Sequence, residues 1–183
     1  MRVIAGSARG IPLVPPPGGL RPTMDRVRAA IFSSLGDAVP GSRALDLFAG
    51  SGGLGIEALS RGAASVVFVD SDPLAARAIS RNLAKCRLQA AVQTMDAFRF
   101  LELYAEPGSC DLIFADPPYA KREGDRDFAA ELLALASTAA ALSESGTLVL
   151  EHGGPQAPEA GAGLRLLRAK KYGGSSIAYY VRA

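Results

Sequence analysis

Apolar residues along this chain come in short runs separated by stretches of helical spacing. Arg43–Phe48, Ser65–Val69, Leu88–Thr94, Asp111–Ala115 and Thr147–Glu151 read as strands. Leu54–Ser60, Pro73–Lys85, Ala97–Tyr104 and Phe128–Leu142 read as the helices between them. Strands alternating with helices of this length predict a parallel sheet covered on both faces. The end of the chain breaks the alternation. Leu164–Tyr172 and Ser175–Val181 flank Gly173-Gly174, a hairpin signal. The expected fold is α/β: a Rossmann-like sheet, mostly parallel, finished by a C-terminal antiparallel hairpin.

Residues 1–20 stand apart from this pattern. Arg2–Ala5 and Ile11–Val14 are strand-like around Gly6 to Gly10, which predicts a short hairpin or an extended arm. Pro15-Pro16-Pro17-Gly18-Gly19 reads as a turn or stiff connector. A helix is expected from Thr23 or Asp25, either of which can cap it, with Val27, Ala30, Ile31, Phe32 and Leu35 at helical spacing. The expected division is an arm over 1–20 and one main domain over 21–183.

With 183 residues, 49% hydrophobic and 21% charged, the chain can bury a core, and disorder does not describe it as a whole. No apolar run approaches the ~18–20 residues of a membrane span. The opening Met1-Arg2-Val3-Ile4-Ala5-Gly6 lacks the apolar region of a secretory signal. Two cysteines, Cys86 and Cys110, cannot build a disulfide framework, so a reduced, cytoplasmic setting is expected. A single histidine, His152, leaves no His-rich metal site, and no metal is expected. It has no evident partner and reads as structural or surface-lying. The net charge of +2 is unevenly spread: residues 1–43 carry +4, 44–163 carry −7 and 164–183 carry +5. Basic ends around an acidic middle fit surfaces for a polyanion, with plain solvated charge as the competing reading.

The first strand runs into Leu45-Asp46-Leu47-Phe48-Ala49-Gly50-Ser51-Gly52-Gly53-Leu54-Gly55. Glycines let a backbone turn tightly and approach a ligand closely, and the helix behind them offers N–H groups. Gly50, Gly52 and Gly55 satisfy the dinucleotide spacing G-x-G-x-x-G, and Asp70 at the next strand end is placed to bind ribose hydroxyls. Candidate cofactor contacts are Asp46, Phe48, Gly50, Ser51 and Gly52, with Asp70 and Ser71 after them. The loop alone does not separate a dinucleotide from S-adenosylmethionine. Asp46 leans the choice, because a carboxylate suits an amino-acid ammonium and is poor company for a pyrophosphate. A ligand-free turn, a capping role for Asp46 and a plain strand end at Asp70 are the competing readings. Asp96, before Ala97-Phe98, suits an adenine contact, with a helix N-cap as the alternative. Glu57 and Arg61 read as an i,i+4 pair.

The sharpest signal is Asp116-Pro117-Pro118-Tyr119, behind the apolar run Leu112-Ile113-Phe114-Ala115. Two prolines fix the backbone at the carboxyl edge of the sheet, where open α/β folds bind ligands. The Pro117 carbonyl and the Asp116 carboxylate then form two acceptors suited to one –NH2 donor. Tyr119 offers an aromatic face for a planar base. A rigid turn with a capping Asp and a core Tyr is the competing reading. Accepting both hydrogens of an exocyclic amine frees its lone pair for attack on a sulfonium methyl, mainly through positioning and charge stabilisation.

Taken together, the glycine loop, Asp70, Asp96 and the Asp-Pro-Pro-Tyr turn resemble class I S-adenosylmethionine-dependent methyltransferases of the amino-methylating kind. More closely, the chain resembles the RsmD family, bacterial enzymes that methylate N2 of a guanine in 16S ribosomal RNA. The likeness runs nearly end to end: Met1 to Gly6 with Arg9-Gly10, then Arg21-Pro22-Thr23-Met24-Asp25-Arg26-Val27-Arg28 with Ile31-Phe32, then Leu45 through Gly62, and Lys171-Tyr172-Gly173. The Asp-Pro-Pro-Tyr turn is shared with DNA adenine methyltransferases, and the arginine-rich second block discriminates. Met24 stands where threonine is common and Ala29 where glutamate is common.

The resemblance implies that the Asp46 to Gly52 turn holds the methionine end of the cofactor. It gives Asp70 the ribose and Asp96 with Ala97 or Phe98 the adenine. It gives Asp116 and Pro117 the guanine amine, and Tyr119 a stacking role on the base. Arg2, Arg9, Arg21, Arg26, Arg28, Lys170 and Lys171 become candidates for RNA contact, some of them for shaping the cofactor mouth. The implied partner is 16S rRNA, with the small ribosomal subunit as the expected form of the target; a monomer is the default expectation. Alternatives are adenine N6 in DNA, a protein glutamine, a nicotinamide-dependent oxidoreductase, and a non-catalytic RNA-binding factor.

Overall fold

The computed structural model describes residues 1–17, 25–119, 124–161, 163–173 and 175–183. The expected cap at Thr23, the candidate Arg21, the departure at Met24, Gly174 of the hairpin and the 20/21 boundary lie outside the described residues. Seven strands form a mixed sheet in the order β3-β2-β1-β4-β5-β7-β6. Those strands are β1 Arg43–Leu47, β2 Ser65–Asp70, β3 Ala91–Thr94, β4 Cys110–Ala115, β5 Leu142–His152, β6 Leu164–Tyr172 and β7 Ser175–Arg182. The helices are α1 Asp25–Leu35, α2 Gly53–Ser60, α3 Pro73–Cys86, α4 Ala97–Leu103, α5 Phe128–Ala134 and α6 Ala136–Ala141. The chain divides into two compact units, Met1–Ala97 and Phe98–Ala183.

In the first unit, β1 pairs with β2 and β2 with β3, all parallel. Four of the five β1 residues are buried, the pattern of a strand covered on both faces. Leu45, Leu47, Phe68, Val69 and Ile79 lie in its core. The α3 helix starts where its sequence says it should, with the Asp72 carboxylate accepting from Leu74 N–H and Pro73 in the first turn. It ends at Arg87, which takes a left-handed conformation, and the Leu88 N–H bonds back to the Leu83 carbonyl at 3.0 Å. That cap uses up Leu88, so β3 begins at Ala91 rather than at the expected Leu88.

The N-terminal arm forms a single antiparallel bridge, Arg2 to Pro12, rather than a strand hairpin. Gly6 and Gly10 both have positive φ and fold the arm back on itself. It packs on α2 through bonds that no short sequence pattern announces. The buried Glu57 carboxylate accepts from Ile4 N–H at 2.8 Å and Ala5 N–H at 3.0 Å, besides Arg61 at 2.7 Å. Glu57 is therefore more than the expected i,i+4 partner. The Ser60 hydroxyl accepts from Ala8 N–H and donates to the Ala5 carbonyl. A Cβ on Gly6 would fall on the Ser60 carbonyl.

In the second unit, β4 pairs parallel with β5, and β7 runs antiparallel to both β5 and β6. The expected terminal hairpin is present. The expected helix Phe128–Leu142 is not continuous: Leu135 adopts an extended conformation, φ −77° and ψ 117°, between α5 and α6. The Thr138 hydroxyl bonds to the Leu132 carbonyl at 2.7 Å, giving that carbonyl a partner that competes with helical continuation. Strand β5 starts at Leu142, earlier than Thr147, with a register shift against β4. Ile113, Phe114, Leu148, Leu150, Tyr179 and Tyr180 are buried in this unit. No helix among the described residues is long and apolar enough to cross a membrane.

Candidate functional site

Strand β1 delivers Asp46 at its buried end, 2% exposed, and the chain then turns through Phe48, Gly50 and Gly52, all at positive φ. The Asp46 Oδ2 accepts from the Gly55 N–H at 2.8 Å. This carboxylate braces the first turn of α2, so the capping reading holds for the bond the structure shows. Gly55 has no alternative, because a Cβ there would enter the Phe68 ring. Gly52 combines a φ of 77° with three side chains 3.2 Å from any added Cβ.

Asp70, at the end of β2, reaches back to the same loop. Its Oδ2 accepts from Gly50 N–H at 2.8 Å and its Oδ1 from Asp72 N–H at 2.9 Å. It is half-buried, and Ser71 beside it is exposed. The loop is held from a third side by Asn82 on α3, which is fully buried. Its amide donates to the Ser51 and Val14 carbonyls and accepts from Val14 N–H, each at 2.9 Å. Asn82 thus ties the N-terminal arm to the glycine loop. Its signal in the sequence was an amide on the buried stripe of α3 between Ile79 and Leu83. Asp96 directly precedes α4, and Ala97 is buried in its first turn.

The second unit carries the Asp116-Pro117-Pro118-Tyr119 turn. Asp116 is half-buried, Pro117 buried, Pro118 exposed, and Tyr119 40% exposed. The Tyr119 hydroxyl donates to the Glu151 carboxylate at 3.0 Å. Burial pushes the phenol well above its ordinary pKa, reinforced by the carboxylates of Glu151 and Asp116 and opposed by a hydrogen bond with Ser175. The ring lies against Gly153, where a Cβ would stand 3.0 Å from Cδ2. The bond to Glu151 at the hydroxyl and the contact with Gly153 at the ring therefore hold the aromatic side chain. Neither was singled out by sequence reasoning, because the pairing spans 32 residues. Phe98 is 9% exposed, and its ring is covered by the Arg126 guanidinium at 4.8 Å, with Phe128 at 6.1 Å.

The family described as conserved hypothetical protein 95 matches residues 1–181. This is the RsmD family. The chain belongs to it. The "Putative rRNA methyltransferase YlbH" of Bacillus subtilis is 41% identical over 98% of this chain and 98% of its own. "Ribosomal RNA small subunit methyltransferase D" of Escherichia coli (strain K12) is 40% identical over 66% of this chain and 61% of its own. Among solved structures, "Putative methyltransferase yhhF" from Escherichia coli superposes with a TM-score of 0.79 at 33% identity, covering 100% of this chain and 97% of that one.

Within this RsmD-family chain, the loop candidates Asp46, Phe48, Gly50, Ser51 and Gly52 share one turn with Asp70. The basic candidates separate. Arg2, Arg9, Arg26, Lys170 and Lys171 are exposed and available to a polyanion. Arg28 is not: it is 0% exposed, so the expectation that it faces RNA is corrected. Its Nη2 donates to the Arg2 carbonyl and, at 3.1 Å, to Asp25. Its Nε and Nη1 are buried with no hydrogen-bond partner among the described residues. His152, expected to be structural or on the surface, is 4% exposed and likewise has two unpartnered nitrogens.

The donor set fits S-adenosylmethionine. A braced glycine loop, a strand-end carboxylate at Asp70 and a buried guanidinium with two unused nitrogens beside the loop answer to a ligand carrying ribose hydroxyls and an amino-acid group.

Proposed function

We propose that this chain transfers a methyl group from S-adenosylmethionine to the exocyclic N2 amine of a guanine in 16S rRNA of the small ribosomal subunit. The observation that carries the reading is the Asp116-Pro117-Pro118-Tyr119 turn with its ring fixed by Glu151, in a chain whose relatives are named rRNA methyltransferases. S-adenosylmethionine supplies a sulfonium methyl, an electrophile needing neither metal nor redox partner.

The residues divide the remaining work. The Asp46 to Gly52 turn holds the amino-acid end, Asp70 and Ser71 the ribose, and Asp96 with Ala97 and Phe98 the adenine. The Asp116 carboxylate and the Pro117 carbonyl accept the two amine hydrogens and orient the nitrogen lone pair. Pro118 contributes no N–H to compete for that carbonyl. Asp116 stabilises the positive charge that develops on nitrogen and then takes the proton. Tyr119 stacks on the guanine, which must be unpaired or flipped to expose its amine.

Exposed Arg2, Arg9 and Arg26 in the first unit, and Lys170 and Lys171 on β6, bind RNA phosphates, so affinity falls steeply with salt. Arg21 joins this set as a proposal from sequence. Both cysteines are free and buried, which suits work in the reduced cytoplasm, and we place the enzyme there as a monomer.

The test is transfer of labelled methyl to small subunits lacking the modification, free 16S RNA and duplex DNA in parallel. Label on guanine N2 in rRNA is the expected result. Label on adenine in DNA would keep the acceptor turn and overturn the substrate. No transfer to any of the three would sink the reading.

A further inference from the structure

Among the described residues of the first unit, the Arg28 guanidinium is a buried polar group whose hydrogen bonding the fold does not complete. It is fully buried, yet only Nη2 is used for hydrogen bonding among the described residues. Asp25 pairs with the charge, but leaving two guanidinium nitrogens desolvated and unbonded is costly, since buried donors give up hydration without a replacement. Burial pulls its pKa below the ordinary arginine value, and the negative charges of Asp25 and Glu57 oppose that pull.

The unsatisfied side of Arg28 has an address. A Cβ built on Gly53, the first residue of α2, would meet Met1 Sδ at 3.1 Å, Arg28 Nη1 at 3.5 Å and Met1 Cε at 3.5 Å. The same Met1 sulfur lies 3.9 Å from the Ser51 hydroxyl. So the guanidinium is aimed at the start of the eight-residue helix α2 behind the glycine loop. A helix start favours negative charge. What covers it there is a methionine side chain, unbranched and easily re-rotamered.

We propose that Arg28 is the anchor for the carboxylate of the cofactor's methionine end, which takes the place of the Met1 thioether and pairs with the unused edge of the guanidinium. The proposal rests on the reading of this chain as an S-adenosylmethionine-dependent enzyme. Two anions could in principle seek such a group, a ligand carboxylate or an RNA phosphate. The depth of Arg28 favours the small ligand, because a polymer backbone docks on exposed cations such as Arg2 and Arg26. The role also accounts for the distinction within the second sequence block, where Arg26 is exposed and Arg28 buried only two residues later.

Calorimetric binding of three ligands separates the outcomes. S-adenosylhomocysteine carries the carboxylate, its decarboxylated analogue lacks only that group, and methylthioadenosine lacks the whole amino-acid end. On the wild-type chain the carboxylate should be worth about 10- to 100-fold in affinity, the range of a hydrogen bond to a buried charge. In R28M that advantage should vanish while methylthioadenosine binds as before, and R28K should recover part of it. Equal losses for all three ligands in R28M would mean a purely structural arginine and overturn the proposal. Equal wild-type affinity for the first two ligands would overturn it without any variant, should R28M not fold. Competition by a short single-stranded RNA, lost in R28M with ligand affinities unchanged, would reassign Arg28 to phosphate. A wild-type chain that binds none of the three would remove the cofactor reading itself, and this proposal with it.

Discussion

The two units position their functional groups by opposite means. In the first, every part of the glycine loop is held by a buried or half-buried polar group from elsewhere: Asp46 on Gly55, Asp70 on Gly50, Asn82 on Ser51. In the second, the aromatic face that we propose for the base is held by the bond from Tyr119 to Glu151 and by the flat wall of Gly153. The contrast fits the two ligands we propose for these sites. A small cofactor of fixed shape rewards a rigid cradle, whereas a base lifted from a structured RNA must be admitted before it is clamped. The first unit should therefore fail through stability and cofactor affinity, and the second through turnover.

The largest expected effect sharpens the second side of that comparison. Asp116→Ala should lower methyl transfer by about 10²- to 10⁴-fold, the range of a positioned acid–base group. Binding of S-adenosylhomocysteine should stay within about twofold. A variant that retains more than about a tenth of wild-type turnover would remove Asp116 from the chemistry.

The next tests attack the first unit. Asn82→Ala strands the Val14 N–H and the Val14 and Ser51 carbonyls, and should cost about 3 kcal/mol in urea unfolding. Cofactor affinity should fall with it, because the same amide holds the arm and the loop. Gly6→Ala should cost more than about 2 kcal/mol, through a strained positive φ and a collision with the Ser60 carbonyl. An Asn82→Ala protein with wild-type unfolding and wild-type cofactor binding would show that the loop does not need this brace.

Smaller still is the expected effect of Tyr119→Phe. The ring and its stacking face remain, but the bond to Glu151 is lost. Turnover should drop about 3- to 10-fold, the worth of one hydrogen bond, with KM for RNA little changed. Glu151→Gln should do similar damage, and the double variant should be no worse than either alone. Additive losses would separate the two residues.

What was legible in the sequence follows the same divide. The loop of the first unit was readable because Asp46, Gly50, Gly52 and Gly55 are neighbours in the chain, and their spacing encodes one local turn. The braces were not, since Glu57, Ser60 and Asn82 bond to an arm 50 to 70 residues away. Asp116 to Tyr119 was visible as a motif, but the Glu151 that holds its ring lies on another strand. The helix expected over Phe128–Leu142 failed at Leu135 for a related reason: no glycine or proline marks the break, and a Thr138 hydroxyl makes it. Arg28 carried the opposite difficulty. Beside Arg26 it looked like one more surface cation, and only the packing of the arm puts it inside.

Among the described residues, Arg28 in the first unit and His152 in the second are buried basic side chains with unused nitrogens. They respond differently to acid. Arg28 keeps its charge across the working range, whereas burial pulls the His152 pKa below its ordinary value near 6.5, with Glu151 opposing. The folded state thus holds His152 neutral at a pH where the unfolded chain already protonates it. Below that ordinary value the unfolded chain binds more protons, so stability falls as pH drops, until the folded imidazole also titrates and the loss levels off. Urea midpoints at pH 7.5 and 5.5 should therefore differ in the wild type and differ less in His152→Asn, whose amide does not titrate. The loss should appear in the second unit first, as weakened amide protection along β5 and around Tyr119, with the α2 and α3 amides of the first unit unaffected. Equal pH sensitivity in wild type and variant would take the acid response away from His152 and assign it to the carboxylates instead.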